Sequence, residues 1–373
     1  MKFNNFQKLH FYRWTVDCLM SDNKFVKIYN FFAVNNYLIV NDIEKADIVI
    51  LDLCWVWISF LNDTISKIDY CLSKNQKIIL MWCITDTLKD KYWDNIIYID
   101  TKNYSIFEVY FDFIVPLNRV DSYFSASKIN LLDTWNHVWN TWYSLEDNFN
   151  KKFFIEISIW CQLNCSYCNI KKVKGNTKSL KKEDIINEIE KAVKDWKTDI
   201  FLLSDDCWSY WSDIWTNLVE LLNAIFEISD EIMVYITNIY PSYLVKYYEE
   251  IKKYIYADKI PYILVPVQHY SPRILKMMNR AYDVEKIIGV LKDIKESSKT
   301  ELHNHIIFNY HEETLEEFVE TFKYLNYYSK TFYFKHSDVN NIYWKNHISY
   351  DLDKKIILLK KLQKKYSIDI PLW

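Results

Sequence analysis

The sequence predicts an α/β protein in two parts, an N-terminal parallel-sheet domain followed by a partial (β/α)6 TIM-type barrel. Three observations carry that expectation. Half of the 373 residues are hydrophobic, enough for about two domains with cores of their own. Apolar runs of strand length alternate with longer stretches at helical spacing along nearly the whole chain. The alternation pauses at a polar run, Ser144–Lys152, and then resumes in a more regular rhythm. The boundaries expected from this are residues 1–115 for the first domain, 116–150 for a linker and 151–373 for the barrel.

In the first part, Asp47–Leu53 and Lys77–Met81 read as buried strands because they are short and almost continuously apolar. The helical patterns Asp22–Val34 and Ser59–Ser73 accompany them, which is βαβ logic and predicts a small, mostly parallel sheet. In the second part the expected strands are Phe153–Ile159, Asp199–Leu203, Glu231–Ile236, Tyr262–Val265, Glu301–Ile307 and Thr331–Phe334. Helical patterns follow at Lys181–Trp196, Asp213–Ile228, Pro241–Tyr254, Val284–Lys295, Glu313–Leu325 and Leu352–Lys364. Such units suit an open barrel whose chemistry gathers at the strand C-terminal ends.

Charge excludes little but directs attention away from a nucleic-acid footprint, since the net charge is −3. One local basic run, Lys171, Lys172, Lys174, Lys178, Lys181 and Lys182, reads first as a solvated face. The N-terminus, Met1–His10, is polar and mixed, and no apolar stretch approaches membrane-spanning length. The expectation is a cytoplasmic protein with no membrane partner, and its eight cysteines are then free thiols rather than a disulfide framework.

Three of those cysteines, Cys161, Cys165 and Cys168, follow the apolar run Phe153–Ile159 in a C-x3-C-x2-C spacing. Each alone reads as a buried small hydrophobe, and a zinc site would want a fourth ligand from a second pair that the sequence lacks. Together, three thiolates on one loop can hold three irons of a [4Fe-4S] cluster and leave the fourth open. The spacing resembles that of radical S-adenosylmethionine (SAM) enzymes, in which the open iron chelates SAM. Three more, Cys18, Cys54 and Cys83, lie in the first part; Cys54 and Cys83 end expected strands, and parallel-strand ends converge at one sheet edge. Each of these also reads singly as a core residue, and as a trio they read as ligands of a second cluster.

The chain resembles the radical SAM methylthiotransferase family over nearly its whole length and in the family's motif order. Trp14–Asp22 around Cys18, Ala46–Cys54 and Ile79–Cys83 are similar to the three N-terminal cysteine motifs. Cys161-Gln-Leu-Asn-Cys165-Ser-Tyr-Cys168, with Lys174-Gly175 downstream, fits the radical SAM motif. Leu202–Asp213, Pro266–Lys276 with Met278–Tyr282, and Ile306–Thr314 resemble later family blocks. In the last of these, Asn309, His311 and Glu312 stand where the family has Gly, Pro and Gly. The chain ends at Trp373 with no room for the family's small C-terminal TRAM-type barrel, so the expectation is a divergent member without it.

The resemblance implies two [4Fe-4S] clusters, one on Cys161, Cys165 and Cys168 and an auxiliary one on Cys18, Cys54 and Cys83, with SAM as the other cofactor. It implies that SAM is cleaved reductively, that the deoxyadenosyl radical takes a hydrogen from an unactivated carbon, and that a methylthio group is installed there. The expected substrate is a tRNA adenosine beside the anticodon. A ribosomal-protein or peptide side chain is the alternative, and a non-catalytic iron–sulfur or electron-transfer protein is the reading of another class. An electron donor such as flavodoxin or ferredoxin is implied as partner. For SAM itself the expected contacts are Asp205 and Asp206 to the ammonium, Gln268 at the barrel mouth, Arg273 to the carboxylate and Tyr167 near the adenine. Arg280 is a second candidate for the carboxylate or a substrate phosphate. The bland readings are a turn pair for the aspartates, ordinary packing for Tyr167 and solvated helix-surface arginines.

One compositional fact stands apart. The chain has two glycines, where an average usage of about 7% would give roughly 26, and 15 tryptophans. Trp14, Trp55, Trp82 and Trp160 sit near cysteines, where backbone close to a cluster suits glycine rather than indole. Several tryptophans also fall where the family pattern has glycine. The expectation is that many are glycine in the native protein, through UGA codons that the cell reads as glycine; the alternative is a protein truly rich in tryptophan.

Overall fold

The computed structural model describes residues 2–14, 19–53, 58–82, 91–92, 96–99, 104–120, 151–159, 161–168, 177–210, 213–214, 216–280, 282–336, 348–363 and 365–370. The chain divides into two compact units, Met1–Phe149 and Asn150–Trp373. Of the expected linker, residues 121–150 lie outside the described residues.

The first unit is a five-stranded, all-parallel sheet: β1 (Lys8–Trp14), β2 (Leu38–Ile39), β3 (Ile48–Leu53), β4 (Lys77–Trp82) and β5 (Ile96–Ile99), in the order β2-β1-β3-β4-β5. Helices α1 (Leu19–Val34) and α2 (Ile58–Ser73) follow β1 and β3. Both sheet faces are covered. Leu9, Phe11, Ile48 and Ile50 pack with Phe25, Ile28 and Phe32 of α1, while Val49, Leu51, Ile78 and Leu80 pack with Ile68 and Cys71 of α2. This explains the near-continuous apolar runs of β3 and β4. Strand β1 was hidden in the sequence because its Lys8, His10 and Arg13 interrupt the apolar pattern.

The second unit carries a seven-stranded parallel sheet of β6 (Lys152–Glu156), β9 (Asp199–Leu203), β10 (Met233–Ile236), β11 (Tyr262–Leu264), β12 (Glu301–Phe308), β13 (Lys330–Lys335) and β14 (Ile368–Asp369). The order β14-β13-β12-β11-β10-β9-β6 leaves β6 and β14 as the two edges, so the barrel is open. Helices α3 (Lys182–Lys194), α4 (Leu218–Ile228), α5 (Pro241–Tyr256), α6 (Pro272–Met277), α7 (Val284–Ser297), α8 (Leu315–Glu320) and α9 (Leu352–Leu362) lie between the strands in sequence. One face of the sheet, with Ile200, Leu202, Val234, Ile236 and Ile306, shares a core with Ile189, Leu222, Ile251 and Leu291 of the helices. On the opposite face Phe154, Phe201 and Tyr235 stack in a row at 4.6 and 4.1 Å.

Three expected elements differ. The run Phe153–Ile159 is two strands, because after β6 the chain leaves the main sheet and β7 (Ser158–Ile159) pairs antiparallel with β8 (Lys178–Ser179). The helix expected from Asp213 starts at Leu218, where Asn217 accepts a hydrogen bond from the Glu220 N–H and caps it. The helix expected over Glu313–Leu325 is shorter; Thr314 and Glu317 form a capping box at its start, and it gives way to tight turns after Glu320.

Candidate radical SAM site

Cys161, Cys165 and Cys168 are partly buried cysteines, none of them in a disulfide, on the loop that follows β7. The loop is tied down on two sides. On one, the Ser166 N–H donates to the Met278 carbonyl at 3.0 Å, the Ser166 hydroxyl donates to the Met277 carbonyl at 2.7 Å, and the Asn279 amide donates to the Asn164 carbonyl at 2.7 Å. These partners form the turn that closes α6, whose start is fixed by Ser271 as N-cap and Pro272 at the first helical position. Asn279 adopts a left-handed φ of 54°, which asparagine tolerates. On the other side the Gln162 N–H donates to Ser209 Oγ at 3.3 Å, and that hydroxyl lies 3.9 Å from Cys161 Sγ.

Asp206 organises that second side. Its carboxylate accepts from Trp208 N at 3.2 Å, Tyr240 N at 3.1 Å and Ser209 Oγ at 2.9 Å. Burial pushes its carboxyl above the usual range, and those three donors counter the shift. The same burial, with Asp206 close by, pushes the Cys161 thiol up to about 12. A metal bound there would take the place of the thiol proton. Cys207 and Cys71 are buried, with thiols raised by burial to about 12 and about 11, as expected of inert core cysteines.

The expected SAM contacts fare differently. Asp206 is engaged as a turn cap, and Asn238 donates its amide to the Asp205 carbonyl at 2.5 Å. Arg273 makes a two-pronged ion pair with Glu317, at 2.8 and 2.6 Å, and also donates to the Glu312 carbonyl. Its guanidinium has a protein partner of its own. Gln268 lies just beyond β11 with φ of 70°, bridges to Ile306 and is buried, and its Oε1 has no hydrogen-bond partner. Tyr167, beside the ligand cysteines, packs with Ile274 and Tyr310 and accepts a hydrogen bond from Arg280 at 3.0 Å. Sequence reasoning missed Ser166, Asn279, Ser209, Tyr240 and Tyr282; only the quoted blocks around Met278–Tyr282 and Leu202–Asp213 pointed toward them.

A buried network closes the same strand-end edge. His269 Nδ1 accepts from the Ser271 N–H at 2.9 Å, so Nε2 carries the proton and donates to Glu313 Oε1 at 2.9 Å. Lys355 of α9 donates to Glu313 Oε2 at 2.7 Å, and all three side chains are fully buried. Asn309 and Glu312, at the positions where the family has glycine, both adopt left-handed φ, 59° and 55°.

In the first unit, Trp14 pairs with Leu53 and Leu53 with Trp82, so β1, β3 and β4 end level at one edge. Cys54 and Cys83 follow those strand ends by one residue and Cys18 by four. The three cysteines lie outside the described residues, as does Trp160.

A family profile described as the radical SAM superfamily matches residues 155–325. The chain is similar to the ribosomal protein uS12 methylthiotransferase RimO of Thermosipho africanus, at 27% identity over 77% of this chain and 66% of that one. It is similar as well to the tRNA-2-methylthio-N(6)-dimethylallyladenosine synthase of Thermosipho melanesiensis, at 27% identity over 82% of this chain and 70% of that protein. Residues 155–325 thus carry a radical SAM domain, and the likeness to methylthiotransferases runs over most of the chain. The chain spans about two thirds of the length of these relatives. Among solved structures, the radical SAM methyltransferase TsrM of Kitasatospora setae shares the fold, with a TM-score of 0.52 at 11% identity over 88% of this chain and 72% of that one.

A radical SAM domain and methylthiotransferase relatives imply SAM and [4Fe-4S] clusters as cofactors, and the residues present suit them. Among the described residues no group of three or more His, Cys, Asp and Glu side chains could hold a single metal ion. A four-iron cluster asks for something else, since each thiolate bonds its own iron. The three thiols of the anchored loop provide that, and the unpartnered Gln268 Oε1 is an acceptor left for a bound donor. Among the described residues no helix is long and apolar enough to cross a membrane.

Proposed function

We propose that the protein is a radical SAM methylthiotransferase that installs a methylthio group on an unactivated carbon of a macromolecular substrate, with a tRNA adenosine beside the anticodon as the first reading. The three-cysteine loop pinned to the α6 turn and to Ser209 is the observation that carries the reading. When bound, the cluster and SAM supply a low-potential electron and a deoxyadenosyl radical. The chain's own residues hold the ligands in place: Ser166 and Asn279 fix the loop's backbone, and Asp206 fixes Ser209 beneath Cys161. Gln268 offers its free Oε1 to a SAM hydroxyl or ammonium, and Tyr167 offers its ring beside the adenine. Cys18, Cys54 and Cys83 serve as ligands of an auxiliary cluster that provides the sulfur, an assignment supported by the level strand ends that precede them.

A ribosomal-protein side chain is the second substrate reading, favoured by the likeness to the uS12 methylthiotransferase. Mass spectrometry of tRNA and ribosomal proteins from a deletion strain separates the two. Loss of a methylthio mark from tRNA alone supports the first, loss from a ribosomal protein alone supports the second, and loss from neither overturns both.

A further inference from the structure

Arg280 is only 4% exposed, yet among the described residues its hydrogen bonds go to a carbonyl, a phenol and a thiol and none to a carboxylate. Its Nη2 donates to the Pro266 carbonyl at 2.7 Å, and its Nη1 donates to Tyr167 OH at 3.0 Å and to Cys165 Sγ at 3.6 Å. The guanidinium lies 4.6 Å from the centre of the Tyr240 ring and 5.9 Å from that of Tyr282, and its Nε is unpartnered. The three phenols around it carry no charge near neutral pH. Asp206 has its oxygens engaged by Trp208, Tyr240 and Ser209. The one carboxylate whose field reaches it, Asp206, makes no ion pair with it, and rings and carbonyls offset only part of the cost of burying a cation. A thiolate-ligated cluster is the anion this cage lacks.

We propose that Arg280 is the counter-charge of the cluster on Cys161, Cys165 and Cys168: its Nη1 hydrogen-bonds the Cys165 sulfur and raises the cluster's reduction potential. A positive charge and a hydrogen bond at a ligand sulfur both favour the more negative, reduced state. Arg280 thus acts as a positioning residue, setting how readily the cluster accepts one electron from a low-potential donor. This inference rests on the cysteine loop holding a cluster and goes beyond the proposed reaction.

The test is a mediated redox titration of the anaerobically reconstituted full chain, read by electron paramagnetic resonance, for the unaltered protein, Arg280→Gln and Arg280→Lys. The expected result is a lower midpoint potential for Arg280→Gln, with Arg280→Lys between the two because it keeps the charge but loses the fork. If Arg280→Gln loads no iron, Arg280→Lys alone decides by its shift. Coincident potentials in loaded variants overturn the proposal and leave the enzyme reading intact. Failure of the unaltered protein to take up iron removes the enzyme reading instead.

A second inference stands on a different observation. Helix α3 ends in a Schellman arrangement: the Lys197 N–H donates to the Ala192 carbonyl and the Trp196 N–H to the Val193 carbonyl, both at 3.0 Å. Trp196 occupies the left-handed position of that cap, with φ of 61°, and the residue is 78% exposed. That position calls for glycine, and a bulky residue there is a genuine outlier. We infer that residue 196 is glycine in the protein the native cell makes, as the two-glycine composition suggests for other tryptophans. Peptide mass spectrometry of the protein purified from its native source is expected to find glycine at 196; tryptophan there overturns the inference.

Discussion

The two parallel sheets present their cysteines in opposite ways. In the barrel unit all three proposed ligands sit on one loop, and the surrounding protein grips that loop through Ser166, Asn279, Ser209 and Arg280. In the N-terminal unit the three cysteines follow three different strands, and what brings those strand ends level is the register Trp14–Leu53–Trp82. A loop-borne site depends on side-chain anchors near it. A site assembled from strand ends depends on the sheet as a whole. On the proposed assignment, the same edge rule for parallel strands would give one site tuned residue by residue and one that stands or falls with its register.

The largest expected effect separates the two sites. The unaltered protein should hold about eight irons, as two four-iron clusters do. Changing Cys161, Cys165 and Cys168 to Ala should remove about four of them and all SAM cleavage. Changing Cys18, Cys54 and Cys83 to Ala should remove the other half, leave SAM cleavage in place and abolish methylthio transfer. An iron assay beside product analysis checks this. A single set of about four irons, lost only with the first trio, would break the comparison.

A smaller effect concerns the barrel edge alone. Lys355→Met leaves Glu313 fully buried without its cation, while His269 and the Asn309 N–H still address the carboxylate. Removing one partner of a buried pair is expected to lower stability by about 3–5 kcal/mol. Denaturant unfolding checks the size, and a second transition left unmoved would show that the N-terminal sheet does not share that edge's support.

The smallest effect is Gly289→Ala. This glycine is exposed in the middle of α7, and a Cβ there meets nothing within 4 Å. Stability should rise by about 0.5–1 kcal/mol through reduced chain entropy, measurable as a shift in the unfolding midpoint. It serves as a control, because it touches neither cysteine site.

What the sequence made visible follows from periodicity. The buried strands β3, β4, β9 and β11 were legible because burial on both faces leaves continuous apolar runs. Strands β10, β12 and β13 were less directly so because their burial alternates or stops at the ends, and the helices were legible through their regular apolar spacing. Strand β1 was not, since its polar residues break the run, and neither was the two-residue β14, which is too short to carry a pattern. The cysteine loop was legible from spacing alone. Its supports were not: nothing in sequence says that Asn279 reaches Asn164, 115 residues away, or that Arg280 is buried rather than solvated. Nor does sequence show that Arg273 pairs with Glu317, 44 residues on.

The most direct test of the central claim is the formation of 5′-deoxyadenosine. The anaerobically reconstituted full chain is supplied with SAM and a one-electron reductant, and the nucleoside is quantified by chromatography. The account predicts steady 5′-deoxyadenosine from the iron-loaded protein and none after Cys165→Ala; no 5′-deoxyadenosine from protein that carries its full complement of iron would contradict it.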